Sequence, residues 1–138
     1  MAASIKHKLA GAWYYLRSRF DQRVGGMTLF DRILNKEIPA NIAFEDETVL
    51  AFHDISPQAP THVLVIPKHK WMRFADFASA DPTQIGDYIK AVARVAKELG
   101  LEENGYRVVF NNGRDGQQTV DYIHAHILGG RRLSWPPG

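Results

Sequence analysis

Apolar residues recur at helical spacing between Pro82 and Leu99, where they form one continuous stripe. A stripe with this period predicts a long amphipathic helix with one buried face. Asp81 is a favourable N-cap, and the proline after it suits the first helical position. Gly100 follows the stripe and is the expected stop. The pattern therefore predicts one long helix in the second half of the chain.

Shorter segments of the chain show the alternation or the β-branched apolar runs that are typical of strands. They are residues 42–45, 48–53, 61–67, 106–110 and 120–128. A short N-terminal helix is predicted before them, because Thr28 and Asp31 form a capping pattern and Pro39 stops the helix. Strands grouped around one long helix predict an α+β fold with an antiparallel sheet.

The predicted strand 120–128 carries the candidate chemistry. Side chains two residues apart in a strand point to the same face. Tyr122, His124 and His126 are therefore expected to form one polar row within an apolar segment. Imidazole titrates near neutral pH, so two buried imidazoles side by side need an explanation.

Three interpretations of this row, together with His62 on another predicted strand, remain open. One is a zinc site, although the chain has no cysteine and no Glu-x-x-His pattern. The second is a set of histidines with a structural role only. The third is catalysis, because neutral imidazole is a good nucleophile towards phosphorus and a second imidazole can supply a proton.

The loop that precedes the row favours the catalytic interpretation. Residues 111–119 are rich in Gly, Asn, Asp and Gln, and backbone N–H groups of such loops form anion-binding concavities. The loop is long for a hairpin, and long loops in compact domains tend to be functional. Asp54, after a predicted strand, is a candidate acceptor for two ribose hydroxyls, or an ordinary strand-end aspartate. Phe30, Ile33 and Phe52 are candidates either for a base pocket or for the core.

Composition and charge limit the remaining possibilities. The chain has 138 residues, 45% of them hydrophobic and 23% charged, as expected for a single globular domain. No apolar run approaches the ~20 residues of a membrane span. Residues 1–26 form a basic, amphipathic N-terminal extension with five basic residues against Asp21 alone. The body, residues 27–138, is slightly acidic, which argues against nucleic-acid binding.

The extension allows three interpretations: a helix that packs on the body or on a partner, a mitochondrial presequence, and a helix lying on a membrane surface. The protein is expected to be cytoplasmic, or mitochondrial if residues 1–26 are a presequence.

Several motifs resemble the histidine-triad nucleotide-binding proteins of the Hint branch. They are residues 37–40 (Glu-Ile-Pro-Ala), residues 51–62, residues 124–131 and the terminal Trp-Pro-Pro-Gly of residues 135–138. The resemblance implies the HIT-like α+β fold over residues 27–138, with the sheet extended across a homodimer. It also implies hydrolysis of purine nucleoside phosphoramidates such as AMP joined to an amine, through a nucleotidyl-histidine intermediate.

Residue roles follow from the same resemblance. His124 corresponds to the nucleophile, His126 to a phosphate contact, and Thr119 to a serine near the leaving group. Asp54 corresponds to the ribose acceptor, and Asn111 lies on the phosphate side. Gln118 is a further candidate contact from the loop. The implied base pocket consists of Phe30, Ile33, Phe52, His53 and Ile55. Trp135 corresponds to a residue that reaches the partner subunit's site.

No cofactor is expected from this resemblance, and zinc binding is the less favoured possibility. Two other functions remain open. One is a purine nucleotide sensor or interaction module with little turnover. The other is a dinucleoside polyphosphate hydrolase on the same fold.

Tyr122 departs from the family pattern, which has histidine at this position. A phenol can donate and accept a hydrogen bond as neutral imidazole does, but it does not become a cation near pH 7. We therefore expect Tyr122, with His62, to orient the histidines and to take no proton. The mutation Tyr122→His should then change the single-turnover rate by less than about a hundredfold, or about 2.7 kcal/mol. A larger gain would mean that a protonatable group is needed there.

Overall fold

The computed structural model describes residues 27–138, and the predictions for residues 1–26 lie outside this range. The elements, in chain order, are α1 (Leu29–Leu34), β1 (Ile42–Glu45), β2 (Val49–His53), β3 (Thr61–Pro67), a 3-10 helix (Phe74–Ser79), α2 (Pro82–Glu98), β4 (Tyr106–Val109) and β5 (Ala125–Gly129).

Both predicted helices begin as their capping residues indicate. The Thr28 hydroxyl accepts from the Asp31 N–H, and the Asp31 carboxylate accepts from the Thr28 N–H at 2.8 Å. Asp81 caps α2 by accepting from the Thr83 N–H at 2.7 Å. α1 is shorter than predicted, because it ends at Leu34 and not at Pro39.

Within residues 27–138 the strands form one five-stranded sheet in the order β1-β2-β3-β5-β4, and every neighbouring pair is antiparallel. This confirms the predicted α+β fold. β5 lies between β3 and β4, so His126 is paired with Leu64 on one side and with Val109 on the other. β1 and β4 are the two edges.

The sheet separates two apolar clusters, because successive side chains of each strand point to opposite faces. On β3, Val63 and Val65 pack against α2, whereas Leu64 and Ile66 pack against α1. The same alternation places His62 on the α1 face. The histidine site is therefore built on the α1 side, while the cluster under α2 supports the sheet from behind.

The predicted strand 120–128 is wrong in its first half, because β5 begins only at Ala125. Before that residue the chain bonds elsewhere: the Ile123 N–H donates to the Trp71 carbonyl at 2.8 Å, outside the sheet. The 3-10 helix was also not predicted. Among residues 27–138, no helix has the length and apolarity needed to cross a membrane.

Candidate functional site

Three histidines meet on the α1 face of the sheet. His62 lies on β3, His126 on the neighbouring β5, and His124 immediately before β5. The His62 Nε2 and His126 Nδ1 atoms are 2.9 Å apart, and the ring centroids of His124 and His126 are 4.9 Å apart. His62 and His124 are each only 6% exposed. The fold thus brings together the three histidines that the sequence singled out.

A main-chain donor sets the protonation of two of these rings. The Gln58 N–H donates to His62 Nδ1 at 3.1 Å, so this nitrogen must carry a lone pair. Neutral His62 then has its proton on Nε2 and donates it to His126 Nδ1. His126 in turn must carry its proton on Nε2. That atom is buried and has no hydrogen-bond partner among residues 27–138.

His124 is held in the opposite tautomer. Its Nδ1 lies 2.7 Å from the Tyr122 carbonyl oxygen, which can only accept, so Nδ1 carries the proton. The remaining nitrogen, Nε2, therefore keeps its lone pair. Two neighbouring rings thus differ: His124 has a lone pair on Nε2, whereas His126 has an Nε2–H donor that is unpaired within residues 27–138.

Burial keeps all three rings neutral near pH 7. Desolvation by burial, together with repulsion from positive charge on His124 and His62, lowers the pKa of His126 to about 3. Burial also lowers the pKa of His124, against the effect of the Tyr122 carbonyl. The pKa of His62 is lowered by burial as well, although the Asp54 carboxylate opposes the shift.

Asp54 lies at the edge of the histidine cluster. One carboxylate oxygen accepts from the Ser56 N–H at 2.7 Å, and the other is 3.5 Å from His62 Nε2. Asp54, His62 and His126 each offer a ligand atom, and these atoms lie within 4.8 Å of one another. Neutral imidazoles and a carboxylate form a set that zinc accepts.

The candidate base-pocket residues divide into two groups. Phe30 and Phe52 are buried beside the histidines, with the edge-on ring of Phe30 at 4.9 Å from that of His124. Ile33 lies in the same apolar cluster. By contrast, Ile55 is exposed, and strand alternation places His53 on the α2 face.

The loop before β5 is braced by Gln118. Its amide oxygen accepts from the Gly113 N–H, and its amide nitrogen donates to the Met72 and Val120 carbonyls. Both amide protons are used, so the Gln118 side chain has no donor left for a phosphate, contrary to its candidate role. The other two candidate residues of the loop differ in exposure: Asn111 is half-buried just after β4, and Thr119 is exposed.

Tyr122 does not orient the histidines through its phenol, and this expectation is corrected. The side chain is 1% exposed, and its hydroxyl donates to the Pro67 carbonyl. Burial raises the pKa of the phenol, with a further contribution from the Asp31 carboxylate, so Tyr122 stays neutral. Orientation of His124 comes instead from the Tyr122 main-chain carbonyl.

Trp135 lies apart from the histidines of its own chain and is 80% exposed. The Arg107 guanidinium lies 5.9 Å from the centre of its ring and donates to the neighbouring Ser134 carbonyl at 3.0 Å. These contacts tie the C-terminal tail to β4.

Several of these contacts have no signal in the sequence. The Gln58 N–H and the Pro67 carbonyl are main-chain groups, so their residue types do not mark them. Lys70 pairs with Asp31 at 2.9 Å and lies over the Tyr122 ring. In the sequence alone, nothing distinguishes it from the other charged residues.

The low histidine pKa values predict acid-sensitive stability. The unfolded chain binds protons at these rings below about pH 6.5, whereas folded His126 resists protonation until about pH 3. The lowered histidine pKa values therefore contribute fully to stability above about pH 6.5. Below that pH the free energy of unfolding should fall. For His126 the slope should be up to about 1.4 kcal/mol per pH unit.

Denaturant unfolding measured between neutral pH and about pH 5 tests this expectation. His126→Gln should flatten the slope, whereas His69→Gln, at an exposed histidine, should leave it steep. Equal slopes for the wild type and His126→Gln would show that His126 does not resist protonation.

Comparisons with known proteins identify the family of this chain. The sequence matches the HIT domain family over residues 35–133. A 14 kDa zinc-binding protein of Zea mays is 54% identical over 114 residues, which cover 80% of this chain and 88% of that protein. A HIT family hydrolase structure from Legionella pneumophila has a TM-score of 0.75 at 46% identity, covering 80% of this chain and 98% of its own. A histidine triad nucleotide-binding protein from Candida albicans has a TM-score of 0.65 at 33% identity, covering 80% and 83%. The family match spans most of the chain, and the chain therefore belongs to the HIT domain family.

Proposed function

We propose that the protein hydrolyses purine nucleoside phosphoramidates of the AMP-amine type through a nucleotidyl-histidine intermediate. One observation carries the proposal: the buried His126 Nε2–H has no partner among the described residues, and its ring centroid lies 4.9 Å from that of His124, whose Nε2 keeps its lone pair. An unpaired buried donor costs about 1–3 kcal/mol, which a bound phosphate oxygen would offset. The solved relatives named as a hydrolase and as a nucleotide-binding protein support this direction.

In the first step His124 Nε2 attacks the α-phosphorus. A bond forms between this nitrogen and phosphorus, the bond from phosphorus to the amine breaks, and the amine leaves with a proton taken from solvent. Thr119, whose side chain is exposed, is the candidate to pass that proton. The ring becomes a cation, and its Nδ1–H remains bonded to the Tyr122 carbonyl, which stabilises the new charge.

In the second step water attacks the same phosphorus from the opposite side. A bond forms between the water oxygen and phosphorus, the water releases one proton to solvent, and the bond between phosphorus and His124 Nε2 breaks. The nucleoside monophosphate leaves, and the nitrogen regains its lone pair. The tautomer is unchanged throughout, because the Tyr122 carbonyl accepts from Nδ1 in both states. His124 is thus ready for another turnover without internal proton transfer.

His126 acts in this scheme as a neutral donor. A pKa of about 3 means that it carries no proton on Nδ1 at neutral pH, so it does not deliver a proton as an imidazolium ion. Its Nε2–H can instead stabilise a phosphate oxygen as charge develops there. His62 keeps that proton in place by donating to His126 Nδ1.

The nucleoside would lie on the α1 side of the site. Asp54 is the candidate acceptor for the ribose hydroxyls, since within residues 27–138 its second oxygen accepts no hydrogen bond and lies 3.5 Å from His62 Nε2. Phe30, Ile33 and Phe52 offer apolar surface next to His124, and Asn111 is the candidate contact on the phosphate side.

Zinc is a second possible ligand, because Asp54, His62 and His126 could hold it. When bound, it would supply Lewis-acid polarisation of a phosphate oxygen. It would also need the His126 Nδ1 lone pair, which accepts the hydrogen bond from His62, and it would have to displace the proton on His62 Nε2. We therefore regard zinc as a competitor of the neutral histidine pair rather than as a requirement.

We further propose that the protein is a homodimer joined along β4. Within residues 27–138 this strand is a sheet edge, and the outer N–H and C=O groups of an edge strand can pair with a second copy. Tyr106 and Val108 expose apolar side chains on this strand, and Trp135, whose ring contacts Arg107 of β4, is also exposed. A paired edge would cover these groups and bring Trp135 towards the other subunit.

An acidic substitution on this edge should break the dimer. Val108→Asp puts a charge in the proposed interface, so sedimentation should show a monomer where the wild type is a dimer. Ile42→Asp is the matched control, because Ile42 is a similarly exposed apolar residue on the opposite edge strand. A monomeric wild type, or equal behaviour of both variants, would contradict the proposal.

Turnover of an AMP–tryptamine phosphoramidate tests the proposed activity. Amine release should fall at least about a thousandfold in His124→Ala, because the nucleophile is lost. His126→Gln should reduce kcat by about a hundredfold, as expected for loss of one oxyanion donor. Acid quench of the wild type followed by mass spectrometry should find the nucleotide bound to His124.

His69→Ala is the control for histidine substitution, because His69 is exposed and lies outside the cluster. Nucleotide binding without amine release would indicate the sensor function instead. Release that occurs only from a dinucleoside polyphosphate would indicate the other hydrolase.

A further inference from the structure

We propose that Lys70, paired with Asp31, is a positioning residue that fixes the tautomer of His124 by clamping Tyr122. The proposal rests on the nucleophilic role proposed above for His124. It concerns two charged residues with no expected contact to a nucleotide.

The contact that orients His124 comes from a single peptide unit. The Tyr122 carbonyl accepts from His124 Nδ1 at 2.7 Å, and the N–H of the same unit, on Ile123, donates to the Trp71 carbonyl at 2.8 Å. This unit precedes β5, so sheet pairing does not hold it. Its orientation depends on the segment that receives the Ile123 N–H, residues 67–71.

The Tyr122 side chain contacts the same segment twice. Its hydroxyl donates to the Pro67 carbonyl, and the Lys70 ammonium lies 5.4 Å from the centre of its ring. The segment 67–71 therefore holds Tyr122 and Ile123 at three points: hydroxyl, ring and main-chain N–H. The electrons of an aromatic face attract a cation, so the Lys70 ammonium helps to restrain the ring.

Asp31 holds the Lys70 ammonium over the ring. The Lys70 Nζ and Asp31 Oδ2 atoms are 2.9 Å apart, and the same oxygen accepts from the Thr28 N–H and hydroxyl. Asp31 thus joins the start of α1 to the segment 67–71. The preceding residue, Phe30, packs edge-on against both Tyr122 and His124.

A second ion pair has the same length but does not contact Tyr122, so it can serve as a control. Lys68 and Glu45 also approach to 2.9 Å, with side chains 33% and 37% exposed. Lys70 and Asp31 are 39% and 17% exposed, so the two pairs are comparable. Among the described residues, however, neither Lys68 nor Glu45 contacts Tyr122 or the histidines. Lys68→Met and Glu45→Gln are therefore matched controls.

The experiment compares Lys70→Met and Asp31→Asn with these two controls. Lys70→Met keeps the apolar stem but removes the ammonium, and Lys70→Arg should restore both the ion pair and the contact with the ring. Two readouts are needed: the imidazole nitrogen NMR shifts of His124, which report its tautomer without substrate, and the steady-state constants with an AMP–tryptamine phosphoramidate. Thermal unfolding checks that each variant is folded.

We expect Lys70→Met and Asp31→Asn to produce a mixture of His124 tautomers and a roughly tenfold lower kcat with little change in KM. Both controls should match the wild type, and Lys70→Arg should recover most of the loss. An unchanged His124 tautomer in a folded Lys70→Met variant would overturn the proposal. If the tautomer shifts but even the wild type releases no amine, the proposed activity fails and the positioning role stands.

Discussion

A peptide N–H can only donate a hydrogen bond, and the site depends on one such group, that of Gln58. Its bond to His62 Nδ1 fixes the proton of His62 on Nε2, and the bond from Nε2 fixes the proton of His126 in turn. This series of hydrogen bonds ends at the buried His126 Nε2–H, which has no partner in the described part of the chain. A second main-chain group, the Tyr122 carbonyl, imposes the opposite tautomer on His124. Two main-chain groups thus determine which ring can attack and which can donate.

This arrangement needs neutral rings, and the fold supplies them by burial. The histidines lie between the sheet and α1, where desolvation lowers the pKa of each. Phe30 contributes directly by packing edge-on against His124, an arrangement worth about 0.5–1.5 kcal/mol beyond the burial of its area. The α2 face has no such role, and its apolar cluster supports β3 and β5 from behind.

Helices and strands whose apolar residues follow a regular spacing could be predicted from the sequence. α2 and β3 have the expected bounds, because their stripes and their capping or flanking residues agree. Residues 120–124 were predicted wrongly for a physical reason. Their β-branched and apolar side chains resemble a strand, but the Ile123 N–H bonds to Trp71, a tertiary contact that local pattern does not contain. The 3-10 helix was missed because short turns of this kind have little periodicity.

The site was predictable to a similar degree. The histidines could be recognised because buried imidazoles are unusual, and the family resemblance agrees with the HIT domain match. The bracing by Gln118 and the position of the Tyr122 hydroxyl depend on partners 46 and 55 residues away in sequence. The Tyr122 phenol is part of the apolar core, so replacing it would alter the packing around His124 rather than the number of protons that the site can bind.

Imidazole nitrogen NMR of the wild-type protein at neutral pH is the most direct measurement. The hydrogen-bond geometry predicts that His124 carries a proton on Nδ1 only and His126 on Nε2 only, with both rings neutral. A doubly protonated His126, or a His124 protonated on Nε2, would contradict the assignment of nucleophile and donor.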